Sequence, residues 1–278
     1  MDYIQINLDI SPRQPWTEII TQELADIAFE SFTEENKQLQ AYVAKENFDE
    51  DRFLSLIDEY LAKDIQIELE KILIPSQNWN AVWESDYEPV KIGKQLLIRA
   101  PFHPKEDDFD LNIEIQPQMS FGTGHHQTTY LLSKHLMEID FSDKKVLDVG
   151  TGTGVLGILA SQLGAASVFG TDIEEGAVEN AIENCKRNKI NNLKIIKGDV
   201  NLIPDDGYDI IIANINKNVL KQHLKSYARL INDGGLLFLS GFFETDIPEL
   251  SHHAKKHQFD VIDSYTKETW AVLMLIKK

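Results

Sequence analysis

Thirteen residues, Lys145-Val-Leu-Asp-Val-Gly-Thr-Gly-Thr-Gly-Val-Leu-Gly157, carry the pattern with the clearest chemical meaning. A short apolar run leads into an acid, then glycines at every second position, then a helical pattern. Glycine tolerates positive φ and lets backbone approach a ligand closely, and the helix that follows offers unpaired N–H groups beside the same loop. Asp172, 22 residues past Gly150, closes the next strand at the spacing from which a carboxylate reaches a ribose diol. The combination predicts a nucleoside-cofactor site.

Gly152, Gly154 and Gly157 also fit the spacing of dinucleotide loops, so the loop alone does not choose the cofactor. Three features favour S-adenosylmethionine. Asp148 lies inside the motif, where a pyrophosphate would meet its charge and a sulfonium or ammonium would welcome it. Asp199, after the third strand, is placed to read an adenine amine. The chain also ends in two alternating runs, Phe259–Tyr265 and Thr269–Ile276, around a polar turn, which predicts an antiparallel hairpin rather than another parallel strand. A nicotinamide-dependent oxidoreductase is the competing enzyme reading, and an acidic binding module holding a nucleoside is the non-enzymatic one.

The elements that must position these residues follow from periodicity. Strands are expected at Lys145–Val149, Ser167–Thr171, Leu193–Lys197, Tyr208–Ala213 and Gly235–Leu239, alternating with helices at Val155–Leu163, Glu174–Asn188, Val219–Leu230 and Thr245–Lys256. That is an α/β, doubly wound sheet with a terminal antiparallel hairpin. Upstream, strands at Tyr3–Ile10, Leu39–Ala44 and Ile65–Ile72 alternate with a helix capped by Thr17 and running through Phe29, and a second from Asp51 to Tyr60. They predict a small ferredoxin-like α+β domain over residues 1–72. Residues 73–90 read as a linker, with Trp79 and Trp83 on one helical face, and Lys94–Ala100 as a strand entering the catalytic domain of residues 91–278.

The net charge of −18 is unevenly spread: residues 1–90 hold 20 acidic and 6 basic side chains, residues 91–278 hold 25 and 21. Such a first domain repels nucleic acid and anionic membrane and attracts basic partners. One cysteine, Cys185, excludes a disulfide framework. The start lacks the pattern of a signal peptide, and no apolar run is long enough to span a bilayer, so a cytoplasmic protein is expected. His125 and His126 have no third ligand at useful spacing, so no metal site is expected.

Taken together, Ser120-Phe-Gly-Thr-Gly-His-His-Gln-Thr-Thr129, Val149-Gly-Thr-Gly-Thr-Gly154 and Ala213-Asn-Ile-Asn216 resemble the bacterial ribosomal protein L-eleven methyltransferase family. The resemblance implies the class I (Rossmann-like) methyltransferase fold, S-adenosylmethionine as cofactor, and methylation of lysines and the N-terminal amine of the stalk-base protein of the large ribosomal subunit. By resemblance, cofactor contacts fall on Thr129, Gly150, Asp172 and Asn214, joining Asp148, Gly152, Gly154 and Asp199. Asn214 is also the candidate for positioning the amine. No catalytic base is assigned, and the nearest alternative is a class I methyltransferase acting on another protein or on a small-molecule amine. Other class I methyltransferases follow this asparagine with prolines and an aromatic that stacks on a planar base; Ile215-Asn216-Lys217 has no such plate, which favours an aliphatic amine. The chain departs from the family at Gln127, usually proline and expected to loosen its loop, and at Asn216, often leucine.

Overall fold

The computed structural model describes residues 1–35, 38–63, 65–75, 84, 87–117 and 124–278. The two tryptophans of the expected linker helix, and Ser120–Thr123, lie outside these residues. The chain divides into two compact units, Met1–Asp86 and Tyr87–Lys278.

In the first unit β1 (Tyr3–Ser11), α1 (Trp16–Asp26), β2 (Ser31–Glu35), β3 (Gln38–Ala44), α2 (Glu50–Leu61) and β4 (Gln66–Ile74) form an antiparallel sheet in the order β2-β3-β1-β4. This is the β-α-β-β-α-β order of a split βαβ unit. Ile4, Ile6, Leu8 and Ile10 alternate onto one face and meet Ile20 and Leu24 of α1 and Phe53 and Ile57 of α2. Asp49 caps α2 by accepting from the Arg52 N–H (3.0 Å). Two expectations need correction. The first helix ends at Asp26 rather than Phe29, and Thr17 lies inside it, donating its hydroxyl to the Arg13 carbonyl. β2, a short polar edge strand, was not anticipated.

The second unit opens with a small sheet, β5 (Val90–Ile92), β6 (Leu96–Arg99) and β7 (Leu111–Glu114), of which periodicity showed only the middle strand. There follow α3 (Gln127–Leu136), β8 (Lys145–Val149), α4 (Val155–Gln162), β9 (Ser167–Asp172), α5 (Glu175–Arg187), β10 (Leu193–Lys197), β11 (Tyr208–Asn214), α6 (Lys217–Leu230), β12 (Ile231–Phe243), α7 (Ile247–Lys255), β13 (Phe259–Lys267) and β14 (Trp270–Lys277). The seven-stranded sheet runs β10-β9-β8-β11-β12-β14-β13, parallel except that β14 pairs antiparallel with both neighbours. The terminal hairpin inserts its second strand beside β12, as expected of a class I methyltransferase sheet.

β11 shows why the sheet is covered on both sides. Ile210 and Ile212 join the core under α3 and α4, while Ile211 and Ala213 join the core under α6 and α7. A strand buried on both faces needs a continuous apolar run, and Ile210–Ala213 supplies it. The strand order reverses between β8 and β11, and the crevice above that switch point is where such sheets bind ligands.

Candidate active site

Above the carboxyl ends of β8–β12 lies a cavity of about 860 Å³. Its floor is the glycine loop after β8. Gly150 and Thr151 N–H groups donate to the Thr171 carbonyl (2.8 and 3.0 Å), which staples the loop to β9. Gly150 has φ +71°, and a Cβ there would meet the Ile215 Cγ2 at 2.2 Å. No side chain fits where the loop after β8 passes the loop after β11.

Asp172 ends β9 in the cavity wall. Its Oδ2 accepts from the Gly152 N–H (2.9 Å) and its Oδ1 from the Glu174 N–H (3.1 Å). Each oxygen keeps a free lone pair, the arrangement a ribose diol requires. Asp199 lines the same wall and caps the turn Val200–Leu202, accepting from the Asn201 N–H (2.8 Å). Asn214, the last residue of β11, reaches Thr129 with Nδ2 (3.5 Å), while its Oδ1 is buried with no partner. An orphaned buried acceptor costs on the order of 1–3 kcal/mol, so it marks a place where a ligand donor belongs.

Of the eight anticipated cofactor residues, Gly150, Gly152, Asp172, Asp199 and Asn214 therefore meet in one cavity. The other three stand behind it. Gly154, with φ +83°, begins α4 and presses against the Ala181 Cβ, where an added Cβ would approach to 3.2 Å; it packs the loop onto α5. Thr129 is buried in the first turn of α3 and acts through Asn214.

Asp148 is the third, and its placement corrects the expectation of direct contact with the cofactor. Its carboxylate is buried, and Oδ2 accepts from the Thr151 hydroxyl (2.6 Å) and the Gly157 N–H (3.1 Å). It braces the loop from beneath. Burial pushes its pKa from 3.8 up to about 6, against the pull of those two donors, with the charge of Asp172 adding to the rise.

Several cavity residues escaped the sequence reading. Gly241 interrupts β12 with φ +94° at a register shift between Ser240 and Phe242, and a Cβ would lie 2.3 Å from the Ile215 carbonyl oxygen. A lone glycine inside a strand pattern signals such a bulge. Trp270, the first residue of β14, forms an aromatic rim with Phe243 (centroids 4.5 Å apart) and His126 (4.6 Å). His126 also caps α3 by accepting from the Thr128 N–H, and burial lowers its pKa. Outside the cavity lining, Asn184 of α5 is fully buried; its amide donates to the Thr153 carbonyl (2.9 Å) and accepts from the Gln116 N–H (2.9 Å), tying the glycine loop to the segment that follows β7.

The two departures from the family pattern both find work. Gln127 occupies the first position of α3, where proline is favoured, and its amide donates to Glu268 at the hairpin turn (2.9 Å). Asn216 caps α6, accepting from the Asn218 N–H (2.9 Å). Among the described residues no three histidine, cysteine or acidic side chains cluster as metal ligands.

With this geometry in hand, comparison with known proteins decides the family. The profile of the ribosomal protein L11 methyltransferase (PrmA) family matches residues 15–278. The chain belongs to that family. It is 37% identical over 258 residues to the ribosomal protein L11 methyltransferase of Porphyromonas gingivalis, spanning 92% of this chain and 89% of the relative. It is 35% identical over 281 residues to that of Phocaeicola vulgatus, spanning all of both. Among solved structures, the ribosomal protein L11 methylase from Lactobacillus delbrueckii subsp. bulgaricus matches with a TM-score of 0.63 at 28% identity, over 69% of this chain and all of that one. The chain is an S-adenosylmethionine-dependent protein methyltransferase. The Asp172 lone pairs and the Gly150 cradle fit that cofactor, and the nicotinamide and binding-module readings fall away.

Proposed function

We propose that this methyltransferase modifies the large-subunit ribosomal protein L11, in the cytoplasm, at lysine side chains and the N-terminal amine. The substrate follows from the names of its relatives, and the aliphatic amine from one observation: the buried, unpartnered Oδ1 of Asn214 at the cavity. A carboxamide oxygen there accepts one N–H and aims the nitrogen lone pair. Ile215-Asn216-Lys217 provides no ring to stack on a planar base.

Bound S-adenosylmethionine supplies a methyl group made electrophilic by its sulfonium. The protein's residues supply position and dryness. Asp172 would hold the ribose, Gly150 and Gly152 the cofactor's length along the loop, and Asn214 the incoming amine. A free lysine, with a pKa near 10.4, must shed a proton before its lone pair can attack. Burial against Trp270 and Ile215 favours the neutral amine, and water carries the proton away.

The first unit supports docking of a basic partner. On the sheet face opposite its helices, Asp9 stands across from Glu68 and Asn7 across from Glu70 in the β1–β4 register. Methylation leaves the substrate's positive charge in place, so a partly modified partner remains attracted. Incubating the protein with recombinant L11 and methyl-labelled cofactor, then mapping the label by peptide mass, tests the reading. Labelled lysines and N-terminal amine are expected; label confined to carboxylates or nucleic acid, or none at all, would refute it.

A further inference from the structure

The hairpin that closes the catalytic sheet turns tightly: Lys267 of β13 pairs with Trp270 of β14, which leaves Glu268 and Thr269 as the turn. Glu268 holds φ +57°, the left-handed region that such hairpins require and that glycine or asparagine ordinarily fills. A glutamate pays in strain here, and its carboxylate has a use. It accepts from the Gln127 amide at the first position of α3 (2.9 Å). Further contacts run beside that bond. The Lys267 ammonium lies 4.5 Å from the ring centroid of Tyr130 on α3, and the Glu244 N–H, just past β12, donates to the Thr269 carbonyl (2.9 Å). The turn then delivers Trp270, which lines the cavity with its ring against those of His126 and Phe243.

We propose that Gln127 is a positioning residue for methyl transfer: its bond to Glu268 clasps the hairpin turn to α3 and so fixes Trp270 in the cavity wall. This deepens the reading in which the Asn214 end of the cavity takes an amine of L11, and it rests on that reading. One surface hydrogen bond adds little to stability, so the clasp acts through geometry. Proline, the usual residue of the family at this position, fixes the first turn of a helix through its own ring. Glutamine gives up that rigidity and regains it by a bond across to the hairpin. The same turn of α3 carries Thr129, whose hydroxyl lies 3.5 Å from the Asn214 amide nitrogen. One helical turn therefore sets two walls around the amine, Asn214 through Thr129 and Trp270 through Gln127. A displacement of about 1 Å in such a wall is enough to slow an in-line transfer severely.

The test measures kcat and KM for L11 at saturating cofactor, with the cofactor Kd from calorimetry and a thermal melt for each full-length variant. Gln127→Ala removes the donor and should lower kcat about tenfold, with KM and cofactor Kd within about threefold of wild type. Glu268→Gly removes the acceptor and also relieves the strained backbone. Its kcat should fall as far, while its melting temperature holds or rises. Gln127→Lys, whose ammonium can pair with Glu268, should keep kcat within about threefold of wild type. Combined with Glu268→Gly, that protection should disappear. Full kcat in Gln127→Ala or in Glu268→Gly would overturn the proposal. So would a fall in kcat matched by an equal fall in cofactor affinity, which would mark a general loosening of the fold. A wild type that methylates no amine of L11 would overturn the substrate reading, and this proposal with it.

Discussion

The two units of this chain solve opposite electrostatic problems. The first carries a strong excess of carboxylates, and on β1 and β4 it exposes Asp9, Glu68 and Glu70. The second is close to charge balance, and its key carboxylates are tied down by backbone N–H groups, Asp172 by Gly152 and Glu174, Asp148 by Gly157. An amine nucleophile explains the division. Exposed acid draws a basic partner, but the same acid around the reacting nitrogen would hold its proton in place. On the proposed reading, capture falls to exposed surface charge and chemistry to fixed, satisfied charge.

This contrast can be broken from either side. The largest effect is expected from Gly241→Ala, because φ +94° and a backbone oxygen 2.3 Å from the new Cβ leave no way to accommodate it. Cofactor affinity measured by calorimetry should fall by more than about 100-fold, while binding of L11 persists. Asp172→Ala comes next. Losing two charge-assisted bonds should weaken the cofactor on the order of 100-fold, again without loss of partner binding. If either variant lost partner and cofactor together, the division of labour would be wrong.

From the other side, the triple change Asp9→Lys, Glu68→Lys, Glu70→Lys should raise KM for L11 by about tenfold at low salt and leave kcat alone. The gap should close as salt is raised. An altered kcat would place these residues in the chemistry instead.

Asp148→Asn has the smallest expected effect on binding, a loss of about threefold as one nearby negative charge disappears. Its stability signature is sharper. Because folding raises this pKa to about 6, the folded state holds the proton more tightly than the unfolded one. That contribution favours folding fully below about pH 4 and is lost as pH climbs through about 6. The amide keeps an acceptor for Thr151 and Gly157 without the buried charge. Asp148→Asn should therefore be more stable than wild type by about 2–3 kcal/mol at pH 8, with the gain vanishing by pH 4 in denaturant titrations.

Much of this was legible before any coordinates. Asp172 was found by spacing, because strand, loop and helix lengths in a βαβ unit are nearly invariant and set where the next strand ends. The parallel strands and closing hairpin were read from apolar runs that must be buried on two faces or one. Asp148 was misjudged because sequence tells which loop a residue sits in but not which side of the backbone its carboxylate takes. Here Gly157 and Thr151 draw it underneath. His223 and Trp270 were invisible for a related reason: helical and strand registers assign a face, and only the packing of α6 on the turn after β10, or of β14 beside β12, brings that face to the cavity. Gly241 was readable as a bulge. The edge strand Ser31–Glu35 was hidden by its polarity, as edge strands tend to be.

The central claim is that Asn214 aims an amine at a cofactor held by the glycine loop and Asp172. Methyl transfer to L11 by Asn214→Ala, at saturating cofactor and with the cofactor Kd measured on the same preparation, tests it most directly. The account predicts a Kd within a few-fold of wild type and a kcat lower by on the order of 100-fold. A kcat that survives unchanged would contradict it.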